Sequence, residues 1–403
     1  MQNQNWRFLS KVIAVAAVTV LVVSFSTFAM AQRGDAVHAM FVSAPKEATN
    51  IAGVSIIADR PKGFNPLTAS SEELGRYGLP QRPDQQTDAK RYARWARAMQ
   101  ALRYRPSAHL EAKPYSSTNL MLAKQQRAAA AISGQPTTSP PSYNWSGVAN
   151  TNTLTTGGGW NSSLSFTEIE SVWNVPAAQP PIGACANGIT GGGGVSGFAE
   201  VSWVGIDGVP PSEDVLQGGS LSYAYCGATA ATYEGWVEWY PSYPQILVIS
   251  CGVAPCPVSA GDDFVVSVNG ASSAPQTVYV EDATQGWGGT YTLDLLSGPP
   301  LLGNSAEYIV ERPCTTSPCD TGADFAALAN YQLDFFEFTS ATDGAGDSFY
   351  AGDQTAATVI FTMTDDNGGQ TISSVTQGST GFQGQQSLSF ESDQCAYSGG
   401  CTP

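Results

Sequence analysis

Residues 232–240 read Thr-Tyr-Glu-Gly-Trp-Val-Glu-Trp-Tyr, a run rich in aromatic residues with no helical period. Such residues favour the half-buried, pleated backbone of a β-strand. From Tyr143 onward, similar short runs alternate with Gly, Pro, Asn and Asp clusters typical of turns. Closely spaced strands of this kind indicate a sandwich or barrel of antiparallel sheets, with one short helix over Ala323–Tyr331. The predicted strands are Glu168–Val175, Ala199–Ile206, Thr232–Tyr240, Gln245–Ser250, Asp263–Val268, Thr277–Glu281, Gly289–Leu295, Glu307–Glu311, Ala357–Met363 and Thr371–Val375.

Charge is divided unevenly along the chain. The histidines are His38 and His109, and Arg312 is the one basic residue after Arg127, whereas 26 of the 34 acidic residues come after residue 140. The later region therefore has no His or Lys for a Ser-His-Asp triad, a Cys-His dyad, a His-ligated zinc or a lysine Schiff base. Chemistry there must use carboxylates, amides, hydroxyls or backbone. The mutual repulsion of the carboxylates disappears in acid, which predicts a protein that works at low pH.

The first 31 residues have the pattern of a secretory signal. Arg7 and Lys11 precede the apolar run Val12–Val23, and the small-x-small triplet Ala29-Met30-Ala31 comes after it. A membrane anchor is the alternative, but the run is short and ends in a cleavage-type triplet. No later stretch has the roughly 18 consecutive apolar residues that a spanning helix needs. We therefore predict a secreted protein, extracellular or periplasmic, whose mature form does not contact a membrane.

Cysteine usage agrees with export. All eight cysteines lie in the acidic region: Cys185, Cys226, Cys251, Cys256, Cys314, Cys319, Cys395 and Cys401. An even count in a secreted chain indicates disulfides, although eight cysteines allow 105 connectivities. Close spacing favours pairing within 251–256, 314–319 and 395–401, which leaves Cys185 with Cys226. Metal binding is the alternative, but no C-x-x-C pair is present and thiolates are scarce in acid. We expect no metal and no cofactor.

Residues 32–140 differ in kind from the acidic region. They carry 15 of the 18 basic residues, and Lys90–Arg103 has the spacing of a helix. Its arginines at 91, 94 and 97 form a basic face, with Tyr92, Trp95 and Met99 interleaved. Such a helix is usually a solvated face and occasionally binds nucleic acid. We favour a third interpretation, a cationic pro-segment on the anionic domain, with no nucleic-acid partner.

A low-complexity linker, Ala128–Pro141, separates the two regions. Pro-, Ser- and Thr-rich stretches of this kind are where domain boundaries and protease cuts occur. We therefore predict a signal peptide at 1–31, a basic pro-segment and linker at 32–140, and a mature acidic domain at 141–403.

Five segments, in order, resemble those of the glutamic peptidases, or eqolisins, acid proteases first known from fungi. The segments are Asn144–Gly147 (NWSG), Trp203–Gly208 (WVGIDG), Val215–Gly219 (VLQGG), Trp236–Pro241 (WVEWYP) and Ala306–Glu311 (AEYIVE). The resemblance spans about residues 143–312 and continues less distinctly beyond. It implies a sandwich of two antiparallel sheets, similar to a lectin-like jelly roll, made with a signal and a partly helical pro-segment that acts as an intramolecular inhibitor. It also implies a secreted acid endopeptidase, monomeric, with polypeptide substrates.

The family's catalytic pair maps by motif onto Gln217 and Glu311. Glu311 would act as general base on a water that attacks the scissile carbonyl and would then protonate the leaving nitrogen. Gln217 would orient that water and donate a hydrogen bond to the oxyanion. Glu307 shares the strand face of Glu311 because side chains alternate along a strand, and it is the alternative base.

The resemblance places further residues around the cleft. Asp207 and Glu238 would be supporting carboxylates, and Trp145, Trp203 and Trp236 would form walls. The tryptophans could instead belong to ordinary sandwich core, which we expect for Trp239. Arg312 is expected to pair with surface carboxylates. Loops such as Gln179–Gly197 look like additions to the fungal pattern.

Two other functions fit parts of the pattern. A carbohydrate-binding or glycan-hydrolysing jelly roll would share the aromatics, and Glu238 and Glu311 could then form a retaining pair about 5 Å apart. A non-catalytic adhesion module fits the disulfides but leaves the cationic segment unexplained.

Overall fold

The computed structural model describes residues 44–115, 137–138, 141–152, 165–270, 276–315, 324–352, 357–365, 370–377 and 388–391 of the 403-residue chain. The predicted signal peptide and most of the linker lie outside the described residues. No helix in the described part is long and apolar enough to cross a bilayer.

One of the two main β-sheets, here called the back sheet, is antiparallel. Its strands, in spatial order, are β1 (Lys46–Ala48), β2 (Val54–Ile57), β15 (Trp287–Leu293), β14 (Gln276–Asp282), β13 (Asp263–Asn269), β7 (Phe166–Asn174), β18 (Leu333–Asp343), β22 (Leu388–Glu391) and β21 (Thr371–Gln377). The short strand β19 (Ser348–Phe349) forms a hairpin with β18.

The second sheet, here called the front sheet, carries the motifs. Its order is β20 (Ala357–Thr364), β6 (Trp145–Thr151), β16 (Ser305–Glu311), β8 (Phe198–Ile206), β9 (Val215–Ala224), β10 (Thr232–Tyr240), β11 (Leu247–Cys251) and β3 (Leu110–Ala112). Four short strands flank it: β4 (Thr137–Thr138), β5 (Pro141–Ser142), β12 (Ala254–Pro255) and β17 (Ala327–Leu328). Since β20 also pairs with β21, one hairpin joins the two sheets. The predicted all-β, two-sheet sandwich is confirmed.

The apolar core lies between the sheets, because each strand turns alternate side chains inward. Trp173 stacks on Phe336 with ring centroids 4.8 Å apart, and Phe264 packs edge-on against Trp287. These side chains are fully buried. Aromatic contacts of this type add to the stabilisation from burial alone.

A polar cluster is enclosed with this core. The hydroxyl of Ser202 contacts Glu200 and lies 2.6 Å from Oδ2 of Asp334, and all three residues are buried. A serine hydroxyl has one proton and cannot donate to two carboxylates. The Ser202 hydroxyl can therefore bond both carboxyl groups only while at least one of them is protonated. Burial raises the pKa of Glu200 to about 7 and that of Asp334 well above its usual range.

Helices are few in the described part of the chain. The predicted basic helix is present as α2 (Ala89–Ala101), capped by the Asp88 side chain, and α1 (Ser71–Arg76) begins with a capping box between Ser70 and Glu73. A 3₁₀ turn covers Cys185–Asn187. The helix predicted over Ala323–Tyr331 is wrong: its described residues include β17, which pairs with β8. Sheet hydrogen bonding there overrides the helix propensity of the alanines.

Two of the expected disulfides are seen directly, Cys185–Cys226 and Cys251–Cys256. Cys314 is also disulfide-bonded, and its partner lies outside the described residues. Cys319, Cys395 and Cys401 are likewise outside them. The first bridge ties the glycine-rich loop to the chain just after β9.

The residues 44–115, here called the N-terminal segment, pack on the later domain. Arg91 and Arg94 of α2 pair with Glu170 at 3.1 Å and Asp263 at 2.9 Å on the back sheet. Buried Trp95 and Met99 form one apolar cluster with residues of that sheet, including Val172, Val265 and Tyr279. The basic helix thus lies on acidic side chains as predicted, and it also makes an extensive apolar contact.

Candidate active site

One face of the front sheet holds most of the predicted site. The register places Glu238 beside Gln217, Gln217 beside Gly205 and Gly205 beside Glu307 in one row across the sheet. The next row holds Trp236, Gly219, Trp203 and Ile309, and the third holds Val201, Glu311 and Trp145. Residues in register share a face, so these side chains point away from the sandwich core.

Among the described residues, Asn144 and Trp203 provide nitrogen donors to Glu311. Asn144 Nδ2 donates to its Oε1 at 3.0 Å, and Trp203 Nε1 donates to its Oε2 at 2.8 Å. The carboxyl group is fully buried. Hydrogen bonds to an ionised acceptor are among the strongest in proteins, so this arrangement stabilises the carboxylate and fixes its orientation. A group held in this way can accept a proton from a neighbouring water.

Gln217 is oriented from the opposite side. Its Nε2 donates to Oε2 of Glu238 at 2.9 Å, and both residues are fully buried. This carboxyl oxygen accepts the bond, which sets the amide nitrogen toward Glu238. Glu238 therefore fixes which way the amide points.

Glycines make room beside these two side chains. A Cβ at Gly205 would lie 3.1 Å from Cβ of Gln217, and a Cβ at Gly219 would lie 2.8 Å from Cβ of Trp203. At Gly219 it would also meet the backbone oxygen of Ser202. Larger residues at these positions would displace the glutamine or the tryptophan.

Gln217 and Glu311 lie on strands that flank β8, with Trp203 on β8 between them. They are not in the same row, because Gln217 is in register with Glu307 and Glu311 with Val201. Any group held by both side chains would thus sit diagonally across the sheet, next to the Trp203 ring.

Glu307 has a different environment. Burial, followed by the nearby carboxyls of Asp207 and Asp214, raises its pKa well above the usual range. Asp207, at φ 67° after β8, accepts hydrogen bonds from the backbone N–H groups of residues 302, 303 and 304. Burial and then Asp214 raise the pKa of Asp207 to about 7. The structure therefore places Asp207 as an anchor for the 302–304 backbone and places Glu307 beside it.

The tryptophans lie on different faces of the front sheet, as the alternation of side chains along a strand indicates. Trp145 packs edge-on against Trp203 at 5.0 Å and against Phe361 at 5.7 Å, on the face away from the core. Trp236 belongs to the same cluster of buried residues. Trp239 lies in the sandwich core, as expected, and its Nε1 donates to Asp214 at 3.0 Å.

The sheets and motifs of the later domain match a known protein family. The model of the Peptidase A4 family matches residues 143–385, which is more than half of the chain. The chain belongs to the Peptidase A4 family. This confirms the resemblance to the eqolisins found in the five segments.

Two named relatives of this A4 family member are fungal. Aspergillopepsin-2 of Aspergillus niger is 27% identical over 189 residues, which cover 44% of this chain and 61% of the relative. Scytalidopepsin B of Scytalidium lignicola is 27% identical over 184 residues, covering 44% and 65%. The chain thus spans less than two thirds of either relative. A crystal structure of scytalido-glutamic peptidase with a peptide-based transition-state analogue is 23% identical, with a TM-score of 0.44, over 62% of this chain and 98% of that one.

Some site residues of this A4 family member have no role predicted from the sequence. Asn144 lies in the first motif, and the structure shows that it donates directly to Glu311. In the sequence, the one indication of this role is the position of Asn144 beside Trp145 in the NWSG motif. Lys113 and Tyr115 of the N-terminal segment also reach this face: Lys113 pairs with Glu234 at 3.2 Å, and the Tyr115 ring lies 5.3 Å from that of Tyr223.

Arg312 does not lie at the surface, where it was expected to meet surface carboxylates. Its side chain is fully buried, and Nε donates to the backbone oxygen of Ala326 at 2.9 Å. Its guanidinium also lies over the Phe325 ring. Arg312 comes directly after the last residue of β16, so its side chain fixes the chain just after Glu311. Among the described residues, no group of three or more His, Cys, Asp or Glu side chains could hold a metal ion.

Proposed function

We propose that the chain is a secreted acid endopeptidase, made as a self-processing proenzyme, that hydrolyses peptide bonds with water activated by Glu311 and Gln217. The observation that carries this proposal is that hydrogen bonds hold both side chains in fixed orientations. Glu311 is held by Asn144 and Trp203, and Gln217 by Glu238, on one face of the front sheet.

Glu311 acts as the general base. It takes a proton from the water as that water attacks the scissile carbonyl carbon, and it returns the proton to the leaving nitrogen. The two donors favour the ionised form of this carboxylate, which is the form that accepts a proton. No acyl-enzyme forms, and no histidine is required.

Gln217 supplies a neutral amide. It orients the water and donates a hydrogen bond to the oxyanion that develops in the tetrahedral intermediate. An amide does not titrate, so this donor is present at every pH. Glu238 acts through Gln217 as a positioning residue.

The environment of Glu307 argues against it as the base. A carboxyl buried beside Asp207 and Asp214 is protonated in acid and cannot take a proton from water. Glu311 accepts hydrogen bonds from N–H donors, which favours the ionised form that a general base needs. We therefore assign the proton transfer to Glu311 and a structural role to Glu307.

Sheet order argues against the glycosidase alternative. Glu238 lies on β10 and Glu311 on β16, with β9 and β8 between them. Three strand spacings correspond to about 14 Å in a flat sheet, whereas a retaining pair needs about 5 Å.

The closed site supports a proenzyme. Gln217, Glu311 and Trp236 are all fully buried in the chain that carries the N-terminal segment, and Tyr115 of that segment packs in the same cluster. Lys113 of the segment pairs with Glu234 on the face that carries Gln217 and Glu311. The sequence of residues 1–31 and the disulfides support secretion.

Acidification of purified protein tests the proposal. Full-length protein should be inactive on denatured casein at pH 7. Below about pH 4.5, around the ordinary pKa values of carboxylates, it should process itself to a form that begins between residues 128 and 143, and then digest casein. Glu311→Gln should do neither and should remain folded. Digestion of β-glucan with no digestion of casein would favour the glycan alternative.

A further inference from the structure

The N-terminal segment is part of both sheets. Its strand β2 pairs with β15 in the back sheet, with Ile56 opposite Tyr291. Its strand β3 pairs with β11 in the front sheet, with Leu110 opposite Ile249. Without these partners, β15 and β11 would present unpaired backbone groups along a sheet edge.

The segment also completes the sandwich core. Val54, Ile56 and Leu110 are each no more than 1% exposed and belong to the same core cluster as Trp287 and Tyr291. Apolar burial of this kind does not depend on pH. It differs in this respect from the ion pairs of Arg91 and Arg94, which require ionised carboxylates.

The later domain is shaped to receive the segment. In the Gly-Trp-Gly-Gly run at 286–289, a Cβ at Gly288 would lie 3.0 Å from Cδ1 of Leu102. A Cβ at Gly289 would lie 3.1 Å from Cδ of Pro106. Because Gly288 and Gly289 of β15 have no side chains, residues of the segment can pack directly against this strand.

Hydrogen bonds to backbone groups hold other parts of the segment in place. Arg103 N donates to the Gly286 oxygen at 2.8 Å, and Ser107 N donates to the Ser250 oxygen at 2.8 Å. Asn50 bonds both backbone groups of Leu110, at 2.9 and 2.7 Å, and so ties β3 to the turn before β2. None of these contacts titrates.

We propose that the N-terminal segment, residues 44–115, stays bound after the chain is cut downstream of Tyr115, so that the processed protein consists of two chains that share both sheets. Among its described residues, the segment reaches the catalytic face at its end, through Glu111, Lys113 and Tyr115. Opening the site then requires a change after β3, while β2, α2 and β3 remain in place. The proposal rests on the proposed function, because self-processing supplies the cut. Retention of the segment can nevertheless be measured on protein that has no activity.

Controlled cleavage of an inactive variant tests retention. Residues 128–133 are replaced by the recognition sequence of a site-specific protease in the full chain carrying Glu311→Gln, and the cut protein is gel-filtered at pH 7 and pH 3.5. We expect the segment to co-elute with the later domain at about one to one at both pH values. Separate elution of the segment at pH 3.5, with the later domain still folded by its melting transition, would overturn the proposal.

Two matched variants identify what holds the segment. Arg91→Gln with Arg94→Gln removes the ion pairs and should leave retention at pH 3.5 unchanged. Leu110→Ala removes buried apolar contact and should weaken retention at least about 30-fold, since large-to-small changes of this kind cost about 2–5 kcal/mol in a core. If the double arginine variant released the segment and Leu110→Ala did not, ion pairs alone would hold the segment, and the proposal would be overturned. Casein digestion by the uncut wild type is scored separately, so failure of the peptidase proposal is distinguishable from failure of this one.

Discussion

The indole N–H of Trp203 donates to Oε2 of Glu311 at 2.8 Å, across neighbouring strands of the front sheet. The ring therefore occupies the space between the strand of Gln217 and the strand of Glu311 and holds the proposed base in place. This contact defines which substitutions should affect the chemistry and which should affect only the fold.

Glu311→Gln should abolish acid proteolysis and leave the domain folded. The amide is the same size as the carboxylate and can occupy its site, but it cannot accept the proton of a water. Casein digestion near pH 3.5 and the melting temperature check this expectation. Near-normal turnover of Glu311→Gln would show that the base has been assigned wrongly, and Glu307→Gln would be the next variant to assay.

Gln217→Ala should lower kcat by at least about 10²–10³-fold, which is the usual cost of losing one oxyanion donor. Glu238→Gln should have a smaller effect in the same direction, because it removes the carboxylate that orients the Gln217 amide. Steady-state kinetics on a peptide substrate separates the two. An effect of Glu238→Gln on KM alone would contradict its role in positioning.

Trp203→Phe should lower kcat about 10- to 100-fold, since it removes one hydrogen bond to a charged group but retains the aromatic ring. Trp239→Phe is the matched control, because its N–H bonds Asp214 in the sandwich core. It should lower the melting temperature with little change in kcat. Equal effects of the two variants on kcat would mean that the bond to Glu311 has no special importance.

Chelators, pepstatin and reagents directed at serine or cysteine nucleophiles should leave the activity intact. The proposed site uses a glutamate and a glutamine, with neither a nucleophilic side chain nor a pair of aspartates sharing a proton. Residual casein digestion after each treatment measures this. Strong inhibition by EDTA or pepstatin would be incompatible with the proposed chemistry.

Stability should fall as pH rises. Buried Glu200, whose pKa is raised to about 7, and Asp334, whose pKa is raised further, favour the folded state fully below the unfolded value of about 4, and this contribution is lost as pH rises through the folded values. The shift of Glu200 from 4.5 to about 7 corresponds to roughly 3 kcal/mol. The cut protein should therefore melt at a lower temperature at pH 8 than at pH 4.

Asp334→Asn should reduce that pH dependence, because one of the two buried acids no longer ionises. Asp347→Asn, at an exposed position in the same sheet region, is the matched control and should leave the dependence as it is. Melting temperatures of the three proteins between pH 4 and pH 8 give the comparison. A wild type that is more stable at pH 8 than at pH 4 would refute this account.

Much of the sheet structure was predictable because its signals are local. Glu168–Val175 and Thr232–Tyr240 contain the strand-forming residues and end at turn residues, and both form strands within two residues of the predicted limits. Ala323–Tyr331 failed because alanine-rich composition favours a helix locally, whereas its described residues are bound to a neighbouring strand. That contact joins residues far apart in the sequence.

The site was predictable only in part for the same reason. Motifs indicated Gln217 and Glu311, but the contacts of Glu311 with Asn144 and Trp203 depend on register across three strands. The strand pairing of Ile56 with Tyr291 likewise spans most of the chain and has no local signal. The surface position expected for Arg312 came from its charge alone, and the structure buries it against backbone oxygens.

The contact of Ser202 with Glu200 and Asp334 has a consequence for where such a protein could act. One hydroxyl proton between two acids makes the fold itself sensitive to the medium, independently of the catalytic pair. A molecule that moved from an acidic zone into neutral surroundings would lose its buried protons and with them part of its stability. For the proposed secreted peptidase, persistence of the folded molecule would therefore be greatest where the medium is acidic.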